Sequence, residues 1–247
     1  MKKISIVGFG RFGKTLYSLL KDDFEITLYN RSKLTNKEKQ LLLKSTTIAT
    51  DIKEIYLSDT IFFAVPIGSF SEVIQKHKKF FNRNHLLVDT LSVKMFPKRV
   101  FEKELKTSKA RAILTHPMFG PDSSKNGFEG LKIVIDKFSA HSQEHTFFKK
   151  YLENKGLVVL EMDANTHDKN AASSQAVLHF VARVLGEVGF NQTLIDPLSV
   201  SKLHEACDFV LRDKIELSYD LIRFNPYAKE MIKKFTQKNK ILGDKLL

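Results

Sequence analysis

Apolar residues in the first two-thirds of the chain recur with two alternating patterns. Short β-branched or wholly apolar runs predict strands, and the stretches between them carry apolar residues at helical spacing. The predicted strands are KISIV, EITLYN, TTIAT, DTIFFAV, HLLVDT, RAILT, LKIVID and LVVLEM, of which TTIAT and DTIFFAV are expected to be buried. The predicted helices are KTLYSLLKDD, KLTNKEKQLLLKS, SFSEVIQKHKKFF, KMFPKRVFEKEL and SQEHTFFKKYLENKG. This alternation predicts an α/β fold with a parallel, doubly wound sheet.

The strand pattern stops near Asp163, and the rest of the chain is predicted to be helical. One long apolar helix is expected over HDKNAASSQAVLHFVARVLGEVG, with further helices up to Leu247. We therefore expect two domains, a dinucleotide-binding domain over residues 1–163 and an all-helical domain over residues 164–247. One small helical domain can hardly bury the apolar surface of AVLHFVARVLGEVG alone, which predicts a homodimer.

A glycine-rich segment lies between the first predicted strand and the first predicted helix. It matches G-x-G-x-x-G and consists of Gly8, Phe9, Gly10, Arg11, Phe12 and Gly13. In this motif the first glycine permits a tight turn, the second lets backbone N–H groups approach a pyrophosphate, and the third allows close packing of helix and strand. The helix N-terminus adds partial positive charge. The context predicts a Rossmann-type dinucleotide site, and a glycine-rich turn without a ligand is the alternative.

The end of the second strand indicates which dinucleotide binds. An NAD site usually has Asp or Glu there for the ribose 2′-hydroxyl. This chain instead has Asn30, Arg31, Ser32 and Lys33. A guanidinium, a hydroxyl and an ammonium suit a 2′-phosphate, so we predict NADP as the cofactor. A solvated basic turn is the alternative.

A histidine is expected at the same edge of the sheet, in the rigid segment LTHPMFGPDSSKNGFEG. His116 follows the strand RAILT, and Ser92 follows the preceding strand. Ligands of doubly wound sheets bind outside the carboxyl ends of the strands, where Val65 and Pro66 are also expected beside the cofactor. A neutral histidine there can take the proton of a substrate hydroxyl while hydride leaves the carbon. A purely structural histidine is the alternative.

A polar stripe marks the long predicted helix. Gln175, His179 and Arg183 are spaced four residues apart and share one face of an otherwise apolar helix. Unpaired polar groups are costly to bury, and a bound carboxylate would satisfy these three. A structural hydrogen-bond network at a dimer interface is the alternative.

The sequence resembles the prephenate and arogenate dehydrogenases of tyrosine biosynthesis, most of all the plant-type, NADP-using arogenate dehydrogenases. The segments that carry the resemblance are IVGFGRFG, YNRS, VDTLSVK, THPMFGPDSSKNGFEGL, HDKNAASSQAVLHFVARVLG and SYDL. It implies a dinucleotide domain, a helical domain that dimerises, and oxidative decarboxylation of a cyclohexadienol. His116 resembles the catalytic histidine, Ser92 the serine near the substrate hydroxyl and nicotinamide, and His179 a residue that binds the substrate carboxylate.

The chain departs from the plant pattern after Gly-Pro, where Asp122, Ser123 and Ser124 replace Glu-Ser-Gly. We still expect Ser124 to bind substrate. Asp122 and Asp168 are possible acceptors for the ammonium group of arogenate, and the choice between prephenate and arogenate stays open.

Composition indicates the class of ligand and the cellular compartment. The net charge of +12 is spread over scattered lysines, which favours a basic surface and an anionic small-molecule substrate over nucleic acid. A single cysteine, Cys207, fits a reducing compartment, and no apolar run reaches membrane-spanning length, so we expect a cytoplasmic protein. No residue spacing suggests a metal site. Two other functions stay open: an NADP-dependent oxidoreductase of the β-hydroxyacid dehydrogenase type, and a non-catalytic NADP(H)-sensing protein.

Overall fold

The computed structural model describes residues 2–247, which divide into two compact units, one ending at Ala164 and one spanning Asn165–Leu247. The first unit is built on an eight-stranded sheet with the strand order β3-β2-β1-β4-β5-β6-β7-β8. Its strands are β1 (Lys3–Val7), β2 (Glu25–Tyr29), β3 (Thr47–Ile48), β4 (Thr60–Phe63), β5 (Leu86–Asp89), β6 (Arg111–Pro117), β7 (Lys132–Asp136) and β8 (Val158–Glu161).

Helices of the first unit connect these strands. They are α1 (Arg11–Leu20), α2 (Asn36–Gln40), α3 (Ile67–His77), α4 (Met95–Glu104) and α5 (Ser142–Asn154), with short 3-10 helices at Ile52–Leu57 and Lys78–Phe80. Leu16 and Leu20 of α1 and Leu152 of α5 pack in one core cluster with the central strands. All four residues of β5 are buried, as expected for a strand covered on both faces.

The sheet is parallel, as predicted, except at one strand pair. β7 runs antiparallel to β6, with Leu114 opposite Asp136 and Pro117 opposite Ile133. The connection over residues 118–131 contains no helix among its described residues. Parallel neighbours need a long crossover, usually a helix, so a chain that turns back without one pairs antiparallel.

Two predicted elements between β2 and β4 are shorter than expected. The segment TTIAT contributes only Thr47–Ile48, and both residues are exposed rather than buried because β3 is the edge strand of the sheet. The predicted helix over KLTNKEKQLLLKS ends at Gln40. The backbone N–H of Leu43 donates to the Tyr17 hydroxyl at 2.8 Å instead of continuing a helical ladder.

The second unit consists of five helices, and the single long helix predicted at its start is two helices. They are α6 (Ala164–Ser173), α7 (Gln175–Glu187), α8 (Leu198–Leu211), α9 (Ile215–Phe224) and α10 (Ala228–Leu246). The break falls at Ser174. The hydroxyls of Ser173 and Ser174 both donate to the Asn170 carbonyl, at 3.1 and 2.8 Å, and such back-bonding bends helices.

The core of the second unit is small. It comprises two clusters of buried residues, one of Ala172, Ala176, Leu221 and Ala228 and one of Ala182, Cys207 and Val210. Many large apolar side chains stay exposed in this unit, among them Leu178, Val184, Val188, Leu198, Phe209 and Ile215. None of the described helices combines the length and apolar character that spanning a membrane requires.

Candidate active site

Five segments meet at the carboxyl edge of the sheet in the first unit. β2, β1, β4, β5 and β6 are neighbours and mutually parallel, so the segments that follow them lie along one edge. These segments are the glycine loop, the turn after Tyr29, the stretch that contains Val65 and Pro66, the turn that contains Ser92, and the residues around His116. The structure therefore brings the predicted cofactor and catalytic residues of this unit to the same edge.

The glycine loop has two glycines that packing requires and one that faces open space. A Cβ on Gly8, whose φ is +102°, would lie 2.3 Å from the Ala64 carbonyl oxygen, and a Cβ on Gly13 would lie 2.3 Å from that of Gly8. At Gly10 no described heavy atom lies within 4 Å of the Cβ position, except in its own neighbours. Among the described residues of α1, the first turn carries no acid. This open, positively polarised helix start fits a pyrophosphate.

The two phenylalanines of the loop have structural side chains. Phe9 is buried and packs edge-on against Tyr17 with ring centroids 5.8 Å apart. Phe12 lies 6.3 Å from Phe119, a residue of the segment after His116. Phe9 can therefore meet a cofactor only through its backbone, and its N–H already donates to Asn30 Oδ1 at 3.0 Å.

The turn after β2 is ordered by Asn30 and presents cations to solvent. The Asn30 amide accepts from Phe9 and donates to the Ser32 carbonyl at 2.9 Å, so it joins this turn to the glycine loop. Arg31, Ser32 and Lys33 are exposed. Arg31 also adds to the effect of Lys76 in lowering the pKa of Glu72 on α3. The turn thus offers a guanidinium, a hydroxyl and an ammonium beside the loop.

His116 is buried near the end of β6, opposite Val134 of β7, and Ser92 is half-buried in the turn after β5. A buried network of polar groups holds the backbone next to both residues. The Lys94 ammonium contacts Asp89 and donates to the Thr115 carbonyl at 2.5 Å, with Lys94 and Asp89 fully buried.

Further hydrogen bonds tie this network to β6. Asp89 Oδ2 accepts from the Thr115 N–H at 3.2 Å, Oδ1 accepts from the Leu91 N–H at 3.0 Å, and the Thr115 hydroxyl donates to the Asp89 carbonyl at 2.5 Å. Burial raises the pKa of Asp89, whereas Lys94 and the two N–H groups lower it. The network joins the turn that carries Ser92 to the residue that precedes His116. Sequence reasoning missed the pairing of Lys94 with Asp89.

The segment after His116 is folded onto itself by its serines. Ser124 Oγ donates to the Gly120 carbonyl at 2.8 Å, and Ser123 Oγ accepts from the Gly120 N–H at 3.0 Å. Asp122 forms an ion pair with Arg11 of the glycine loop, with Arg11 Nη2 2.8 Å from Asp122 Oδ2. Local sequence patterns do not indicate this pair, because its members are 111 residues apart.

In the second unit the predicted polar stripe is part of a hydrogen-bond network. Ser218 of α9 contacts His179 Nδ1 at 3.0 Å and accepts from Arg183 Nε at 3.1 Å. Arg183 Nη2 also donates to the carbonyls of Val210 and Asp213, at 3.0 and 2.7 Å. Gln175 is half-buried on the same helix.

The surroundings of His179 favour its neutral form. Burial lowers the pKa of His179, the Asp213 carboxylate opposes this effect, and the Arg183 guanidinium adds to it. Asp213 is a charged group that sequence reasoning missed, since it lies in the loop before α9 and outside the helical stripe.

A second buried pair lies near the start of α6. His167 Nδ1 is 2.8 Å from Asp168 Oδ1, and both side chains are buried. The Asp168 carbonyl accepts from the buried Asn225 amide at 2.8 Å. Asp168 is thus part of the internal framework of this unit. Within residues 2–247, no group of three or more His, Cys, Asp or Glu side chains is arranged to hold a metal ion.

Comparisons with known proteins identify relatives of this chain. Residues 19–161 match the family described as prephenate dehydrogenase, nucleotide-binding domain. The chain is 32% identical to arogenate dehydrogenase 1, chloroplastic, of Arabidopsis thaliana over 240 residues, which cover 94% of this chain and 37% of that protein. It is also 32% identical to arogenate dehydrogenase 2, chloroplastic, of the same plant over 239 residues, 94% of this chain and 66% of that protein. The chain therefore spans about a third of the first relative and about two-thirds of the second.

Solved structures share the fold. The prephenate dehydrogenase of A. aeolicus, in complex with hydroxyphenyl propionate and NAD+, superposes with a TM-score of 0.71 at 17% identity, over 99% of this chain and 90% of that one. The Synechocystis arogenate dehydrogenase gives a TM-score of 0.68 at 18% identity, over 97% of this chain and 90% of that one.

Proposed function

Because the chain belongs to the prephenate dehydrogenase family, we propose that it catalyses the oxidative decarboxylation of arogenate or prephenate in tyrosine biosynthesis, with hydride transfer to NADP+. The observation that carries this proposal is the shared carboxyl edge. There the open helix start at Gly10 and the buried His116 lie at the ends of parallel strands of one sheet.

The chemistry requires one proton to be removed and one substrate ring to be held. His116 accepts the proton of the ring hydroxyl, and Ser92 donates a hydrogen bond to the same oxygen. A bound nicotinamide supplies the hydride acceptor for the ring carbon that carries this hydroxyl. As the carbonyl forms, the bond to the ring carboxylate breaks and CO2 leaves. The electron pair of that bond enters the ring, and the former carbonyl oxygen takes a proton back to become the phenol hydroxyl. Aromatisation drives the reaction, so the protein mainly orients groups and manages the proton.

The proposal of NADP+ over NAD+ rests on the turn after β2. The chain has Asn30 where NAD enzymes usually carry an acid, and the Asn30 side chain joins the turn to Phe9 and Ser32. The exposed Arg31 and Lys33 then supply the charge that a 2′-phosphate needs. In this proposal Gly8–Gly13 hold the pyrophosphate, and Val65 and Pro66 line the cofactor.

The second unit is proposed to bind the ring carboxylate through Gln175, His179 and Arg183. Ser124 is proposed as a further substrate-binding residue. Arg183 contributes its charge from a fixed position, since its guanidinium already donates to Ser218, Val210 and Asp213. Burial lowers the pKa of His179, and the imidazole is proposed to contribute a hydrogen bond.

We propose arogenate as the preferred substrate, because Asp213 can accept its ammonium group. The Asp213 carboxylate acts on His179 in the same network. The two other candidate acids, Asp122 and Asp168, lie in different surroundings. Asp122 is paired with Arg11, and Asp168 is fully buried beside His167.

The test is turnover of purified arogenate and prephenate with NADP+ and with NAD+, following reduced cofactor and CO2 together. We expect both products, with a higher kcat/KM for arogenate and for NADP+. A tenfold higher value for prephenate, about 1.4 kcal/mol in transition-state binding, would reverse the substrate preference. Oxidation of a β-hydroxyacid without CO2 from either cyclohexadienol would indicate the alternative oxidoreductase. Cofactor binding without any turnover would indicate a sensor.

We also propose a cytoplasmic homodimer formed by the helical unit. Exposed apolar side chains in and next to α7 and α8 support it, including Val188 at 70% and Leu198 at 75% exposure, which a second copy would cover. Light scattering at micromolar concentration is expected to give twice the monomer mass of 28.3 kDa. A monomer mass would contradict the dimer without touching the proposed reaction.

A further inference from the structure

The glycine loop and the segment after His116 are joined by one charged contact and one aromatic contact. Arg11, the first residue of α1, pairs with Asp122 at 2.8 Å, and the neighbouring Phe12 packs near Phe119. Arg11 therefore lies at the helix start that fits the cofactor pyrophosphate, but its guanidinium is turned toward a carboxylate of another segment.

Two anionic groups can pair with the Arg11 guanidinium. A pyrophosphate at the N-terminus of α1 would bring negative charge beside Arg11, and guanidinium groups bind phosphate oxygens well. Asp122 offers the same guanidinium a competing anion. Both partners are partly exposed, with 44% and 37% of their side chains accessible, so their ion pair is weak and exchangeable.

Asp122 can move without disturbing the core. It lies in a segment ordered by local bonds between Gly120 and the two serines, and the adjoining Ser123 and Lys125 are exposed. Loss of the Arg11 contact therefore releases the Asp122 carboxylate, while Phe119 and Phe128 of the same segment stay packed in the core.

We propose that Asp122 competes with the cofactor pyrophosphate for Arg11, so that it lowers cofactor affinity and couples cofactor binding to the segment that follows His116. This inference rests on the proposed binding of a nicotinamide dinucleotide at Gly8–Gly13. It assigns Asp122 to the setting of cofactor affinity rather than to substrate recognition.

The experiment measures dissociation constants by calorimetry for NADP+, for ADP-ribose, which retains the pyrophosphate, and for adenosine 2′-monophosphate, which lacks it. Asp122→Asn is expected to lower Kd for NADP+ and ADP-ribose about three- to fivefold, as the loss of a weak competing ion pair implies. Kd for adenosine 2′-monophosphate should stay unchanged. Arg11→Ala is expected to raise Kd for the two pyrophosphate ligands about tenfold or more.

The double variant Arg11→Ala/Asp122→Asn separates competition from a general charge effect. Competition predicts the same Kd as Arg11→Ala alone. Glu38→Gln is the matched control, because it removes one negative charge from the 2.8 Å pair with Lys14 on the same helix and leaves Arg11 untouched. It should not tighten ADP-ribose binding.

Three results would overturn the inference: unchanged or weaker ADP-ribose binding by Asp122→Asn, equal tightening in the Arg11→Ala background, or equal tightening by Glu38→Gln. Failure of the wild-type protein to bind any of the dinucleotide ligands would instead remove the proposed function. Unchanged thermal midpoints of the ligand-free variants are expected and show that folding is not the cause of the binding changes.

Discussion

His116 and His179 are both proposed to act on the substrate, but the two units hold them in different ways. His116 lies in a strand, and the buried network of Asp89, Lys94 and Thr115 fixes the backbone before it. His179 and Arg183 are themselves members of the network that joins α7 to α9 and to the end of α8. In the first unit the residues that stabilise the fold are different from the proposed catalytic histidine. In the second unit the proposed substrate-binding side chains also stabilise the fold. A substitution of His116 should therefore change activity without changing stability, whereas a substitution of His179 or Arg183 should change both.

The largest expected effect is at His116. His116→Asn should lower kcat by about 10²–10⁴ because the proton acceptor is lost, while the Kd for NADP+ and the melting temperature stay near wild type. Steady-state kinetics and calorimetry check this. His141→Asn, at an exposed histidine before α5, is the control and should keep full activity. A near-normal kcat for His116→Asn would remove it from the proton transfer.

A smaller effect is expected at Arg183, and it should appear in stability. Arg183→Met leaves the Val210 and Asp213 carbonyls without their donor, and should lower the free energy of unfolding by about 3 kcal/mol. Chemical denaturation gives this value. The control is Arg223→Met, at an exposed residue whose guanidinium lies over the Phe224 ring, with an expected loss of at most about 1 kcal/mol. If Arg183→Met lost substrate affinity at unchanged stability, the contrast between the two units would fail.

The smallest of these effects is expected at the cofactor turn. Arg31→Ala should raise Kd for NADP+ about tenfold and leave Kd for NAD+ almost unchanged, because only the former carries a 2′-phosphate. Lys37→Ala removes an exposed cation of α2 and should affect both cofactors equally and weakly. Equal losses for both cofactors in Arg31→Ala would exclude it from the phosphate site.

Features that depend on local sequence were the ones that could be predicted. Gly8 and Gly13 were identifiable because local backbone geometry demands glycine there, and the comparisons confirm the family that the His-Pro segment indicated. The direction of β7 was not predictable from apolar periodicity, since both directions of pairing give the same pattern. The break at Ser174 depends on hydroxyl bonds that compete with the helix.

Long-range pairings were beyond the reach of the sequence. The pair of Arg11 and Asp122 and the contacts of Arg183 join residues that are distant along the chain, and local patterns carry no sign of them. The polar stripe on α7 was visible, but its spacing could not tell a ligand site from a structural network. In this molecule His179 and Arg183 of the stripe belong to a hydrogen-bond network with α9, and the role of the stripe in substrate binding is the proposal that turnover must test.

The fully buried pair of Asp89 and Lys94 also constrains how this sequence can change over generations. Replacing one member leaves the other as an unpaired buried charge, which costs about 3–5 kcal/mol. The total stability of an ordinary protein is only about 5–15 kcal/mol. An apolar pair of similar volume could be tolerated, but each single step toward it passes through a severely weakened protein. Descendants of this chain should therefore keep both residues or exchange both, so that the two positions are inherited as one unit.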